Sequence, residues 1–95
     1  MPVYFIGQVE IDDAEAYNQY MEQATPSVIA AGARVLAADD HAEAIEGDWH
    51  GPRTVIMEFP DEASFRRWYD SPEYQAAKAI RLPAADLRAA LVHGL

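Results

Sequence analysis

The sequence predicts an α+β fold, one antiparallel sheet with two helices on one face. Three observations predict it: four stretches dense in β-branched or alternating apolar residues, two stretches with apolar residues every three or four positions, and an order of β-α-β-(β)-β-α-β along 95 residues. The length allows a single domain over residues 1–95.

Val3 to Ile11, VYFIGQVEI, is the first strand. One alternating face (Val3, Phe5, Gly7, Val9, Ile11) is nonpolar, and the other (Tyr4, Ile6, Gln8, Glu10) starts apolar and turns polar. Asp12 or Asp13 then caps a helix whose buried stripe is Ala14, Tyr17, Met21, Ala24, Val28 and Ala31. Pro26 lies inside that stripe and removes the amide that would bond the Glu22 carbonyl, so a kink or restart is expected there. Gly32 supplies the stop.

Ala33 to Ala38 is a short second strand, and Ala42 to Glu46 is expected as a brief return strand before the loop Gly47-Asp48-Trp49-His50-Gly51-Pro52. Arg53 to Phe59, RTVIMEF, is the third long strand, ended by Pro60. Asp61 caps a helix carrying Phe65, Trp68 and Tyr69 on one face. Ser71 caps a second helical piece with Pro72 at its first position, continued by Tyr74, Ala77 and Ile80 or Arg81 until Pro83. Asp86 to His93 alternates Leu87, Ala89, Leu91 against Arg88, Ala90, Val92 and reads as the last strand. This order is the ferredoxin-like split pair of β-α-β units. Its second sheet face has no helix to cover it, so a homodimer with the sheets face to face is expected.

Half the residues are apolar and 24% charged, which excludes intrinsic disorder. Cysteine is absent, so no disulfide stabilises the chain. No apolar run is long enough to cross a bilayer and no signal sequence is evident, so a soluble, cytoplasmic protein without a membrane partner is expected. Residues 1–50 hold ten carboxylates and one base, Arg34, whereas residues 51–95 hold six of each; the formal net charge is −9. Nucleic-acid binding needs clustered Lys and Arg and is not expected. The acidic half is either a solvated surface or a docking face for a basic partner.

The residues that match a known family are Glu46-Gly47-Asp48-Trp49, Arg53 leading into Val55-Ile56-Met57-Glu58-Phe59-Pro60, the run Trp68-Tyr69-Asp70-Ser71-Pro72-Glu73-Tyr74-Gln75, Arg81 and Gly94, with Tyr17, Tyr20, Pro26 and Gly32 fitting the first helix. On these the chain resembles domain of unknown function 1330, a bacterial family in the dimeric α/β-barrel superfamily. The resemblance covers nearly the whole chain and is looser from Leu82 to Leu95. It implies a ferredoxin-like subunit, paired sheets and usually a dimer, and no established activity. The wider superfamily includes cofactor-free oxygenases, muconolactone-type isomerases and haem-handling proteins, and fold analogy does not choose among them.

Trp49, Arg53, Tyr69, Tyr74 and Arg81 combine aromatic surface, phenol hydroxyls and two guanidinium forks, which suits a flat or acidic small molecule. The resemblance adds Glu46 to these ligand-binding candidates. The alternative is structural: Trp68, Tyr69 and Tyr74 anchor the second helical region while Arg81 caps carbonyls or pairs with Glu46 or Glu58. For catalysis, His41 is a candidate general base, and Glu10 and Glu58 are strand carboxylates whose pKa burial would raise; an oxygenase or isomerase would draw on these. Asp39, Asp40, His41, Glu43, Glu46, Asp48 and His50 lack metal-site spacing, so no metal is expected. Haem ligation by His41, His50 or His93 is the alternative to an expectation of no cofactor. No G-x-S-x-G or G-x-G-x-x-G is present. Pro2 would serve as a tautomerase base only with a free amine, and Met1 precedes it. Three readings therefore stay open: a small-molecule binder, a cofactor-independent oxygenase or isomerase, and a non-catalytic interaction dimer.

Overall fold

The computed structural model describes residues 1–95. The elements are β1 (Val3–Ile11), α1 (Ala14–Ala30), β2 (Arg34–Asp39), β3 (Arg53–Phe59), α2 (Glu62–Tyr69), α3 (Pro72–Arg81) and β4 (Ala85–His93). They form one antiparallel sheet of order β2-β3-β1-β4. This is the ferredoxin-like topology, with the second helical region present as two helices.

Each helix starts where a side chain replaces a missing backbone acceptor. The Ala16 amide donates to Asp13 Oδ1 (3.1 Å), the Ser64 amide to Asp61 Oδ1 (2.7 Å) and the Tyr74 amide to Ser71 Oγ (3.2 Å). Pro72 takes the first position of α3, where its lost amide has no intrahelical partner to miss. Gly32, at φ +77°, turns the chain out of α1 in a conformation that a side chain would strain.

One expectation is narrowed and one is corrected. No restart occurs at Pro26, and α1 runs unbroken through it. Hydroxyls flank the proline and bond nearby carbonyls, Thr25 Oγ1 to Met21 O (2.7 Å) and Ser27 Oγ to Ala24 O (2.6 Å), so loss of one amide leaves a single weak point. Ala42 to Glu46 is not a strand either. That segment offers one β-branched residue, the exposed Ile45, and nothing to pack it against, so it joins an irregular loop closed by the Ala42 amide on Pro52 O (2.8 Å).

Register places Val3, Phe5, Gly7 and Val9 opposite Phe59, Met57, Val55 and Arg53, all on the helix-covered face. Tyr4, Ile6 and Gln8 lie opposite Glu58, Ile56 and Thr54 on the uncovered face. The main core joins Val3, Phe5, Met57 and Phe59 of the sheet to Val28 of α1, Phe65 and Trp68 of α2, and Tyr74 and Ala77 of α3. It is strongly aromatic: Phe59 meets Phe65 edge-on at 5.3 Å, and the Trp68 and Tyr74 ring centres lie 4.1 Å apart. This core fills one end of the space under the helices. A second, smaller core of Val9, Tyr17 and Ala85 lies beneath the start of α1, and between the two the space under the helix is not filled.

Candidate ligand cavity

A cavity of about 230 Å³ lies between α1 and the covered face of the sheet. It exists because small residues stand where large ones would close it. Gly7 at the centre of β1, Ala24 on α1 and Ala38 on β2 all line it. A Cβ on Gly7 would point toward Leu87, 2.9 Å from its Cδ1. The walls are Phe5, Val9, Val55, Met57 and Leu87 from the strands, Tyr17, Tyr20, Met21 and Val28 from α1, and Trp68 from α2. Two arginines also reach it, Arg53 from the start of β3 and Arg81 from the last turn of α3.

The two arginines differ in surroundings. Arg53 Nη1 donates to Asp40 Oδ1 at 2.6 Å, its Nε donates to the Tyr17 hydroxyl at 3.3 Å, and its guanidinium carbon lies 5.6 Å from the Tyr17 ring centre. Burial pulls the Arg53 pKa down, and the bonds to Asp40 and Tyr17 outweigh that and raise it. Arg81 is only 4% exposed, and its Nε has no hydrogen-bond partner. No carboxylate pairs with it, since the ion pairs are Arg34–Glu58, Arg53–Asp40, Arg66–Glu62, His50–Asp86 and His93–Glu62. The face of Tyr20 lies 5.5 Å from its guanidinium carbon.

Behind Tyr20 runs a polar thread through the aromatic core. The Tyr20 and Tyr74 hydroxyls are 2.9 Å apart, Tyr74 packs against Trp68 with the rings tilted by 37°, and Trp68 Nε1 donates to Ser27 Oγ at 3.0 Å. Burial, then the charge of and hydrogen bond to Tyr74, push the Tyr20 phenol well above its ordinary range, so it stays protonated and serves as a hydroxyl rather than a base. In an acidic chain the cavity thus has the opposite sign of the surface, with two guanidinium groups and one carboxylate, Asp40, already paired.

Of the residues singled out from sequence, the structure brings Arg53 and Arg81 to the cavity and sets Tyr74, fully buried, directly behind its Tyr20 wall. Tyr69 packs against Phe65, Trp68 and Tyr74 without lining it. Trp49 is elsewhere: 43% exposed, it donates from Nε1 to Thr54 Oγ1 at 2.9 Å on the uncovered sheet face. Glu46 is exposed in the same loop. Arg81 pairs with neither Glu46 nor Glu58. His41 is exposed at the turn after β2, and Glu58 lies on the uncovered face, 3.6 Å from Arg34. Neither lines the cavity. No cluster of metal-ligating side chains forms.

Tyr17, Tyr20, Asp40 and Trp68 are cavity or rim groups that the sequence reading did not assign to the site. Tyr17, Tyr20, Ala24 and Val28 share one face of α1 at three- and four-residue spacing, and two phenols on an otherwise apolar stripe are the signal that marks them.

Residues 2–95 match the model of a family described as a domain of unknown function, DUF1330. Among solved structures, a protein of unknown function from Rhodopseudomonas palustris is similar at 24% identity and a TM-score of 0.83, over 99% of this chain and 82% of that one. A dimeric ferredoxin-like protein of unknown function from Thermobifida fusca gives 22% identity and a TM-score of 0.68, over 99% and 92%. SnoaB, a cofactor-independent oxygenase from Streptomyces nogalater, gives 14% identity and a TM-score of 0.68, over 99% and 93%. At these identities the likeness is one of fold. None of the curated proteins matches the sequence.

Proposed function

The chain belongs to the domain of unknown function 1330 family, and from that premise and the cavity we propose that it binds a small acidic or aromatic molecule between α1 and the sheet, as a homodimer joined through the uncovered sheet faces. The observation that carries the reading is the pairing of an apolar enclosure with two cationic groups. A cavity that served packing alone gains nothing from a buried guanidinium, whose desolvation costs several kcal/mol.

The dimer is supported by the face opposite the helices. Ile6 and Ile56 stand directly across from one another at its centre, with Tyr4, Ala90 and Val92 around them and Leu36 beyond. The similar chain from Thermobifida fusca is described as dimeric.

The likeness to SnoaB favours a second reading, cofactor-independent oxygenation. That chemistry calls for a proton acceptor beside the substrate. No carboxylate lines the cavity, Asp40 at its rim is held by Arg53, Tyr20 stays protonated, and His41 and Glu58 lie outside, so binding is the better-supported activity. An open space beside Arg81 likewise favours binding over a dimer whose pocket is plugged by its own side chains.

Calorimetric titration with a panel of aryl and alkyl acids tests this. Saturable binding of one molecule per subunit is expected, weakened at least about tenfold by Val55→Phe, which places a ring in the cavity. Binding indifferent to that plug would move the ligand elsewhere on the molecule.

A further inference from the structure

We propose that the ligand is a monocarboxylate with an uncharged apolar body, and that Arg81 alone receives its carboxylate while Arg53 holds the rim. This rests on the cavity reading above and goes further by naming the ligand class and dividing the labour of the two arginines.

The division follows from what each guanidinium already touches. Arg53 is already engaged: Asp40 takes Nη1 and neutralises its charge, Tyr17 accepts from Nε, and Nη2 lies 4.0 Å from Met21 Sδ. Asp40 is largely exposed, so this pair sits where the cavity meets solvent, bridging the start of β3 to the turn after β2. A ligand carboxylate placed there would have to displace a charge-assisted bond of 2.6 Å. Arg81 is the reverse case, almost wholly buried, with a donor at Nε that nothing accepts and no counter-ion. Native proteins rarely leave a buried donor without an acceptor, because it has lost water and gained nothing in return. The Tyr20 face, 5.5 Å from the guanidinium carbon, offsets part of the charge but leaves Nε without an acceptor. A planar carboxylate matches the Arg81 fork and supplies both the missing acceptor and the missing charge.

One unpaired cation sets the ligand's charge at one. A dicarboxylate or a phosphate dianion would bring a second charge into walls made by Met21, Val55, Met57, Trp68 and Leu87, with no partner for it. Size sets the body. A cavity near 230 Å³ exceeds the roughly 150 Å³ known to hold benzene and falls below the roughly 300 Å³ typical of drug-sized sites. One or two rings, or a medium acyl chain, fill it.

Naphthoate and its uncharged isostere naphthamide, titrated against the intact protein at neutral pH, separate this inference from the reading beneath it. Wild type and Arg53→Gln are expected to bind naphthoate at least about tenfold more tightly than naphthamide, and Arg81→Gln to bind the two alike. In nitrogen–proton correlation spectra of the unmutated protein, a measurement independent of whether the Arg81 variant folds, naphthoate shifts the Arg81 Nε–H signal, naphthamide does not, and the Arg53 Nε–H signal stays in place. An acid preference that survives Arg81→Gln, or disappears in Arg53→Gln, or a shift at Arg53 in place of Arg81, overturns the inference while leaving the cavity as a binding site. Failure of both probes to bind removes the cavity reading and the inference together.

Discussion

Gly51 is the position at which a single added carbon does most damage. A Cβ there would lie 2.2 Å from the Val9 carbonyl oxygen and 2.7 Å from the Glu10 amide, both backbone atoms of the central strand, which has no room to yield. The loop between β2 and β3 therefore crosses against β1 only because residue 51 has no side chain. That contact lets the His50 amide donate to Gln8 Oε1 at 3.2 Å and sets Trp49 over Thr54. Gly51→Ala is expected to destabilise by about 3 kcal/mol, at the upper end of overpacking costs, in urea unfolding; a change below about 0.5 kcal/mol would show that the loop sits elsewhere. Ser27 makes a smaller prediction. Its Oγ is the only acceptor for the buried Trp68 indole, and Ser27→Ala orphans that donor. The expected loss is about 1–3 kcal/mol, nearer the low value because Ser27 and Trp68 both border a groove between α1 and α2 that water can enter.

Among the elements, how much could be read from the sequence tracks how local the determining physics is. β1, β3 and β4 announce themselves by alternation, and α2 and α3 by caps that the structure places on Asp61 and Ser71, because a side chain three residues from its amide partner is a local interaction. Pro26 is the opposite case: local geometry favours a kink or a restart, and packing of Tyr17, Ala24 and Val28 on the sheet keeps α1 whole across it, so no restart occurs. Ala42 to Glu46 misled because a strand needs a neighbour, and no pattern within five residues says whether one is present. The cavity was legible only in part. Arg53 and Arg81 stood out as chemistry, but the space between them is made of missing volume at Gly7, Ala24 and Ala38, residues from three elements whose proximity is tertiary. Local physics also yields a pH prediction at the start of α2. The Ser64 amide holds the Asp61 carboxyl below its ordinary 3.8, and the bond to His93, ahead of the charge of Arg66, holds Glu62 below its ordinary 4.5. Both folded values lie below the unfolded ones, so the stabilisation is fully present above about pH 5 and drains away as pH falls through the depressed values. Thermal unfolding of the Asp61→Asn, Glu62→Gln double variant is expected to depend less on pH below about pH 5 than that of wild type, with the two curves parallel above it. Curves parallel throughout would leave these carboxyls without a role in acid unfolding.

For the whole molecule the decisive quantities are an uncovered sheet face and a net charge of −9. They oppose each other. Burying Ile6, Ile56 and their neighbours against a second copy favours association at about 25 cal/mol per Å² of apolar surface removed from water. Bringing together two subunits of like charge resists it, and the face itself is mixed, with Glu10, Glu58 and Asp86 set against Arg34 and Arg88. The apolar term does not depend on dilute salt, whereas the repulsion does: the screening length falls from about 30 Å at 0.01 M to about 8 Å at 0.15 M. Dimerisation measured by analytical ultracentrifugation is therefore expected to tighten as sodium chloride rises through that range, the reverse of an interface held by ion pairs. Ile6→Asp, which adds a charge at the centre of the face and leaves the helix side of β1 untouched, should give a monomer by light scattering at every salt concentration in the range. The same variant should keep its affinity for a cavity ligand if one subunit suffices for binding, because no cavity wall comes from the uncovered face. An Ile6→Asp protein that stays dimeric would place the interface on another surface, and wild-type dimerisation that weakens with added salt would assign the association to charge rather than to the apolar sheet.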